Sequence, residues 1–144
     1  MMNHASVDQS NLDEMGQGRP ILVEEGVYRV QLVDWAKHWL FRRPMLVMRF
    51  RIVDEGEDWG KELYAYYRVE WRGDQIKAGW KSDFCRAYQA CFGEVERTDR
   101  FAMTKFEDVT LLAEVKTIKA DQKDKPLARV NQYSVIERLT GVTK

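Results

Sequence analysis

The densest carboxylate group in the chain is Asp54, Glu55, Glu57 and Asp58, set around Gly56. Two-metal phosphodiester cleavage needs carboxylates that converge on one point. Neighbours in a turn splay apart instead, and no histidine or lysine base stands among these four, so they read as a solvated turn rather than a phosphodiesterase centre. Cys85 and Cys91 are too few for a disulfide framework, and at a spacing of six they face different sides of a helix with no histidine at metal-ligand spacing. They read as buried thiols. His4 falls in a polar tail and His38 in a loop, and neither is placed as the base of a nucleophile. The expectation is a protein without catalytic residues, metal or cofactor.

The positive charges are more informative. The whole chain balances 23 Lys+Arg against 23 Asp+Glu, but the distribution is uneven. Between residues 27 and 51, Arg29, Lys37, Arg42, Arg43, Arg49 and Arg51 face Asp34 alone. Between residues 115 and 129, Lys116, Lys119, Lys123, Lys125 and Arg129 face Asp121 and Asp124. The first of these segments is also aromatic, through Trp35-Ala36-Lys37-His38-Trp39-Leu40-Phe41-Arg42-Arg43. Cations track phosphates and flat rings stack on unpaired bases, so this mixture suits a single nucleic-acid strand, each stacked base contributing about 1–3 kcal/mol regardless of sequence. Each feature also has a plainer reading: tryptophans fill β cores, lysine-rich loops are solvated, and Arg49 and Arg51 can pair with the acidic turn.

The elements that must position these residues follow from hydrophobic periodicity. Residues 1–20 are polar and acidic, with Gly16, Gly18 and Pro20, and read as an arm preceding one domain over 21–144. Tyr28, Val30 and Leu32 alternate with Arg29, Gln31 and Val33 in a first strand opened by Gly26. Leu46, Met48, Phe50 and Ile52 define a second strand whose other face carries Arg49 and Arg51. Leu63, Ala65, Tyr67 and Val69 define a third, whose other face carries Tyr64, Tyr66 and Arg68. Arg72-Gly73-Asp74 breaks the pattern. Phe84, Ala87, Tyr88 and Cys91 then take helical spacing, with Ser82 or Asp83 as N-cap and Gly93 as C-cap. A helical turn fits within 98–106. Val109, Leu111, Ala113 and Val115 mark a fourth strand, and a polar link through Lys125 and Pro126 leads to a fifth around Val130 to Ile136.

At 144 residues, 44% hydrophobic and 12% aromatic, the chain can bury a core without staples, and its composition excludes low-complexity disorder. No apolar run approaches the ~18 residues of a membrane helix, and Met1-Met2-Asn3-His4 lacks a secretory pattern. The expectation is a cytoplasmic, mainly β domain. Five strands with one helix between the third and fourth match the OB-fold, a partly open five-stranded barrel. In that fold the two basic segments become the loops flanking the groove over strands two and three. The expected nucleic-acid contacts are then Trp35, Lys37, Trp39, Phe41, Arg42, Arg43, Arg49, Arg51, Tyr64, Tyr66, Arg68, Lys116, Lys119, Lys123 and Lys125.

From about Leu22 to Leu139 the sequence resembles a family of phage and mobile-element proteins thought to be OB-fold single-stranded DNA-binding proteins. The residues that carry the resemblance are Glu25-Gly26-Val27-Tyr28-Arg29-Val30, Leu46-Val47-Met48-Arg49-Phe50-Arg51-Ile52-Val53, Gly60-Lys61-Glu62-Leu63, Cys91-Phe92-Gly93 and Leu112-Ala113-Glu114-Val115-Lys116. The resemblance implies a non-catalytic, largely sequence-independent binder of single-stranded DNA, serving replication or recombination of a phage or mobile element, with replication or recombination proteins as partners. The sequence departs from many single-strand binders in ending at Glu137-Arg138-Leu139-Thr140-Gly141-Val142-Thr143-Lys144 without an acidic tail. An open edge strand admits a homodimer. The alternative is an OB-fold protein-interaction module whose exposed rings dock a partner.

Overall fold

The computed structural model describes residues 21–40, 42–121 and 123–143; the expected N-terminal arm lies outside them. The described chain is mainly β, built on a five-stranded antiparallel sheet with one α-helix. The strands are β1 (Gly26–Leu40), β2 (Arg43–Ile52), β3 (Glu62–Arg68), β4 (Glu70–Arg72), β5 (Gln75–Lys77), β6 (Thr110–Ile118) and β7 (Tyr133–Thr143), and the helix is α1 (Asp83–Phe92). The main sheet runs in the order β3-β2-β1-β6-β7, and β4 pairs with β5 in a separate small hairpin.

Alternation, broken only by the buried Val47, fixes which face of β2 meets the core. Leu46, Met48, Phe50 and Ile52 on β2 are all fully buried, as are Leu63 and Ala65 on β3, while Arg49 is partly exposed and Arg51 exposed on the opposite side of β2. Such alternation is what a sheet with one face on the core requires. Strand β1 is shared: residues 26–30 pair with β6 and residues 30–40 with β2. Its pairing with β2 shifts between Leu32 and Asp34. This bulge changes the parity of the strand, so Tyr28, Val30 and Leu32 face the core before it and Trp35 after it.

The helix begins where Ser82 Oγ accepts a hydrogen bond from the Cys85 N–H at 3.1 Å, and ends at Gly93, which takes a φ of 86°. Phe84, Cys85, Ala87 and Tyr88 form its buried face, which packs across β7 and β3. Phe84 is the hub of an aromatic cluster, with ring centroids 5.0 Å from Phe101 and 5.5 Å from Tyr67. The helical turn expected within 98–106 is the 3-10 helix Met103–Phe106, which buries Met103 and Phe106. The ends of the sheet, β3 and β7, also lie against each other, though no ladder joins them among the described residues.

The segment Trp35–Arg43, expected as a loop, is mostly strand. Strand β1 continues through it to Leu40, Arg43 opens β2, and Arg42 turns the chain with a φ of 61°. His38 accordingly lies in a strand and is buried. The β4–β5 hairpin was not expected either; it turns at Gly73, whose φ of 60° suits a residue without a side chain. The last strand begins at Tyr133 and runs to Thr143, because a short 3-10 turn at Arg129–Asn131 occupies its expected start. No helix among the described residues is long and apolar enough to cross a membrane.

Candidate nucleic-acid interface

Register sorts the expected contact residues onto two faces. Residues paired directly across an antiparallel ladder share a face. Asp34, Arg49 and Tyr64 form one row across β1, β2 and β3, and Ala36, Val47 and Tyr66 form the next. His38, Met45 and Arg68 form a third row, and Arg43 lies on this face at the start of β2. All of these lie on the side away from the core cluster, where Ala36, Val47 and His38 are nonetheless buried and the tyrosines and arginines are the more exposed groups. On the other side, Trp35 pairs with Met48, Lys37 with Leu46 and Trp39 with Pro44. The structure therefore brings Arg43, Arg49, Arg51, Tyr64, Tyr66 and Arg68 onto one surface and places Trp35, Lys37 and Trp39 on the opposite one.

On the outer face, the rings of Tyr64 and Tyr66 stack with centroids 6.3 Å apart and planes at 27°. Burial first, and then the neighbouring Tyr133 and Tyr64, raises the Tyr66 hydroxyl above its ordinary pKa. Burial likewise raises the Tyr64 hydroxyl, against the lowering influence of Arg49. Both phenols are neutral hydrogen-bond donors at working pH. Tyr133, at the start of β7, is a contributor that sequence reasoning missed; its only signal was an aromatic residue at the end of the lysine-rich link.

The arginines on this face differ in their partners. Arg49 donates to both oxygens of Asp34, through Nε at 3.0 Å and through Nη2, and Nη1 reaches Glu62 at 3.4 Å. Arg51 reaches the other Glu62 oxygen at 3.5 Å. Neither pairs with the acidic turn; their partners come from the flanking strands. Arg42, Arg43 and Arg68 are exposed, and their side chains make no ion pair or hydrogen bond among the described residues. Toward phosphates the face is thus unevenly charged, with its open cations at the hairpin tip.

The other face is closed in part. Trp35 is only 8% exposed and stacks on Trp71 of β4 with centroids 6.0 Å apart and planes at 4°. That ring is covered by protein rather than open to a base. Trp71 Nε1 donates to the Met45 carbonyl at 3.1 Å. Lys37 Nζ lies 5.5 Å from the Trp71 ring centroid and donates to Gly73 O and Asp74 Oδ1, each at 3.0 Å. Trp35 and Lys37 thus fasten the β4–β5 hairpin to β1. Trp39 is different: it is 63% exposed. Phe41 lies outside the described residues.

The β6–β7 link is ordered by its own hydrogen bonds. Asp121 Oδ1 accepts from the backbone N–H groups of Lys123 and Lys125 at 2.8 and 2.9 Å, and the Leu127 N–H donates to Lys119 O at 2.8 Å. Lys119, Lys123 and Lys125 are exposed on this loop, whereas Lys116 sits on β6 with its Nζ 3.8 Å from Glu137. No cluster among the described residues could hold a metal ion. Cys85 is buried and Cys91 partly so, both as free thiols; burial pushes Cys91 up to about 11, so it stays protonated. Comparison with protein-family models, with curated proteins and with solved structures finds no match to this chain.

Proposed function

We propose that the protein is a non-catalytic, OB-fold single-stranded DNA-binding protein that contacts the strand through the outer face of β2 and β3 and the tip of the β1–β2 hairpin. The observation that carries this reading is the stacked pair Tyr64–Tyr66 beside the open cations Arg43 and Arg68 on the face away from the core. Rings offer platforms to unpaired bases, and cations one or two positions away track the backbone between them. The strand order β3-β2-β1-β6-β7, the mutual approach of β3 and β7 and the helix between β3 and β6 support an OB-like barrel. The resemblance noted in the sequence points the same way, and with it a role in replication or recombination of a phage or mobile element.

Binding is sequence-tolerant and weakens steeply with salt, because each neutralised phosphate releases a counterion. Titration with oligo-dT of about 30 nucleotides at low salt, where phosphate contacts are strongest, should raise the anisotropy of a labelled oligomer. A flat anisotropy signal would remove the reading. A partner captured from cells that survives nuclease and high salt would instead favour a protein-interaction module.

A further inference from the structure

Residues 1–20 join the described chain at the border of the candidate interface. Ile21 O accepts from the Ser134 N–H at 2.8 Å. Ser134 Oγ accepts from the Val23 N–H at 2.9 Å and donates to the Val23 carbonyl at 3.2 Å. These bonds pin residues 21–23 to the start of β7. Strand β6 occupies one edge of β7, so Ile21 stands at the other edge, which faces β3. Tyr133, the residue before Ser134, is a neighbour of Tyr66 on β3. We infer that residues 1–20 dock in cis across the surface formed by Tyr66, Arg68 and the hairpin tip, and compete there with a nucleic-acid strand. The inference rests on the proposed single-strand binding and adds regulation to it.

The charges of segment and surface are complementary. Residues 1–20 carry Asp8, Asp13 and Glu14 against Arg19. Arg42, Arg43 and Arg68 are exposed, with side chains that make no ion pair or hydrogen bond among the described residues. Arg49 and Arg51 on the same face are already paired with Asp34 and Glu62. A carboxylate arriving from the Tyr133 side is therefore drawn past the tyrosines toward the hairpin tip.

The reach is sufficient. Glu14 and Asp13 lie seven and eight residues before Ile21, and an extended chain spans up to about 25 Å over seven residues. Arg68 follows Tyr66 by two positions on one strand face, about 7 Å along β3, and pairs with Met45, two positions from Arg43. Gly16 and Gly18 separate the acids from the anchor, and glycine meets no steric barrier to a turn. The tether also favours this occupant over a free acidic partner, because a short linker gives an effective concentration on the order of millimolar. A strand must displace the docked segment, and its apparent affinity falls by the fraction of molecules left open.

The test measures anisotropy of labelled oligo-dT at fixed low salt with full-length variants. D8N/D13N/E14Q should bind about tenfold tighter than the parent, and the ratio should shrink toward one as salt screens the pairing. E55Q/E57Q/E96Q removes the same number of exposed carboxylates elsewhere and should gain no more than about twofold. In an R42E/R43E background, neutralising the three acids of residues 1–20 should gain no more than that control. Equal gains in the two neutralised variants, or a tenfold gain that persists in R42E/R43E, would overturn the docking and leave strand binding standing. A parent that sediments as a dimer while D8N/D13N/E14Q sediments as a monomer would overturn it in favour of docking onto a second copy. Failure of both the parent and D8N/D13N/E14Q to bind would overturn the proposed function and the competition together.

Discussion

Two ends of one surface use the same side chain in opposite ways. Toward the end of β2, Arg49 and Arg51 are tied to Asp34 and Glu62 on the flanking strands, and Arg29 on β1 is tied to Asp54 at 2.8 Å. At the hairpin tip, Arg42, Arg43 and Arg68 have no such partners among the described residues. The first group cross-links strands; the second is available to an anion from outside. Counting basic residues along a segment therefore overstates its field, because cross-strand neighbours cancel half of the arginines before any ligand arrives.

The largest expected effect follows from the open end. R42E/R43E should weaken single-strand binding on the order of 100-fold at low salt and lower the magnitude of the salt slope by about 1.4, two phosphates' worth for a single strand. The fold should be unchanged by circular dichroism. Tyr66→Ala should follow, losing about 1–3 kcal/mol of binding if the ring carries a base, measured by titration with oligo-dT. The closed end should respond in stability instead. Arg49→Met strands the Asp34 carboxylate and should cost about 1–2 kcal/mol in urea denaturation, with the salt slope close to that of the parent. An affinity loss in this variant as large as in R42E/R43E would erase the distinction between the two ends.

The smallest effect is also the most specific to pH. Burial alone would raise the Asp54 carboxyl, but hydrogen bonds from the Arg29 side chain and backbone N–H, together with its charge, hold it below its ordinary value. A depressed carboxylate stabilises the fold above its unfolded pKa of about 3.9, and that contribution is lost as pH falls through the lower folded value. Asp54→Asn should therefore cost less than about 1 kcal/mol at neutral pH, and the gap from the parent should close in acid. Oligonucleotide affinity should not change.

Much of this architecture is legible in period-two alternation. The dry faces of β2 and β3, the cap at Ser82 and the stop at Gly93 all follow from local rules, and the outer positions of Arg49, Tyr64 and Tyr66 follow from the dry ones. What is not legible depends on register between strands. The pairing of Arg49 with Asp34 and Glu62 is set by a ladder, not by spacing along the chain. Trp35 through Arg43 resembles a loop because the bulge interrupts the alternation just before it, and because its core-side residues cover a hairpin of only three residues per strand. That hairpin is hidden by Arg72-Gly73-Asp74, which reads as a break but is its turn. Tyr133 joins the tyrosine pair only because β7 comes to lie against β3.

The irregularity between Leu32 and Asp34 acts as a parity switch for the part of β1 beyond it. Removing Val33 would leave Leu32 opposite Phe50, Asp34 opposite Arg49 and Trp35 opposite Met48, so the sides beyond it would keep their residues. An unbroken ladder that kept Val33 would instead turn Trp35 and Trp39 onto the face of Tyr66. One unpaired residue thus decides which side of the hairpin carries the tryptophans.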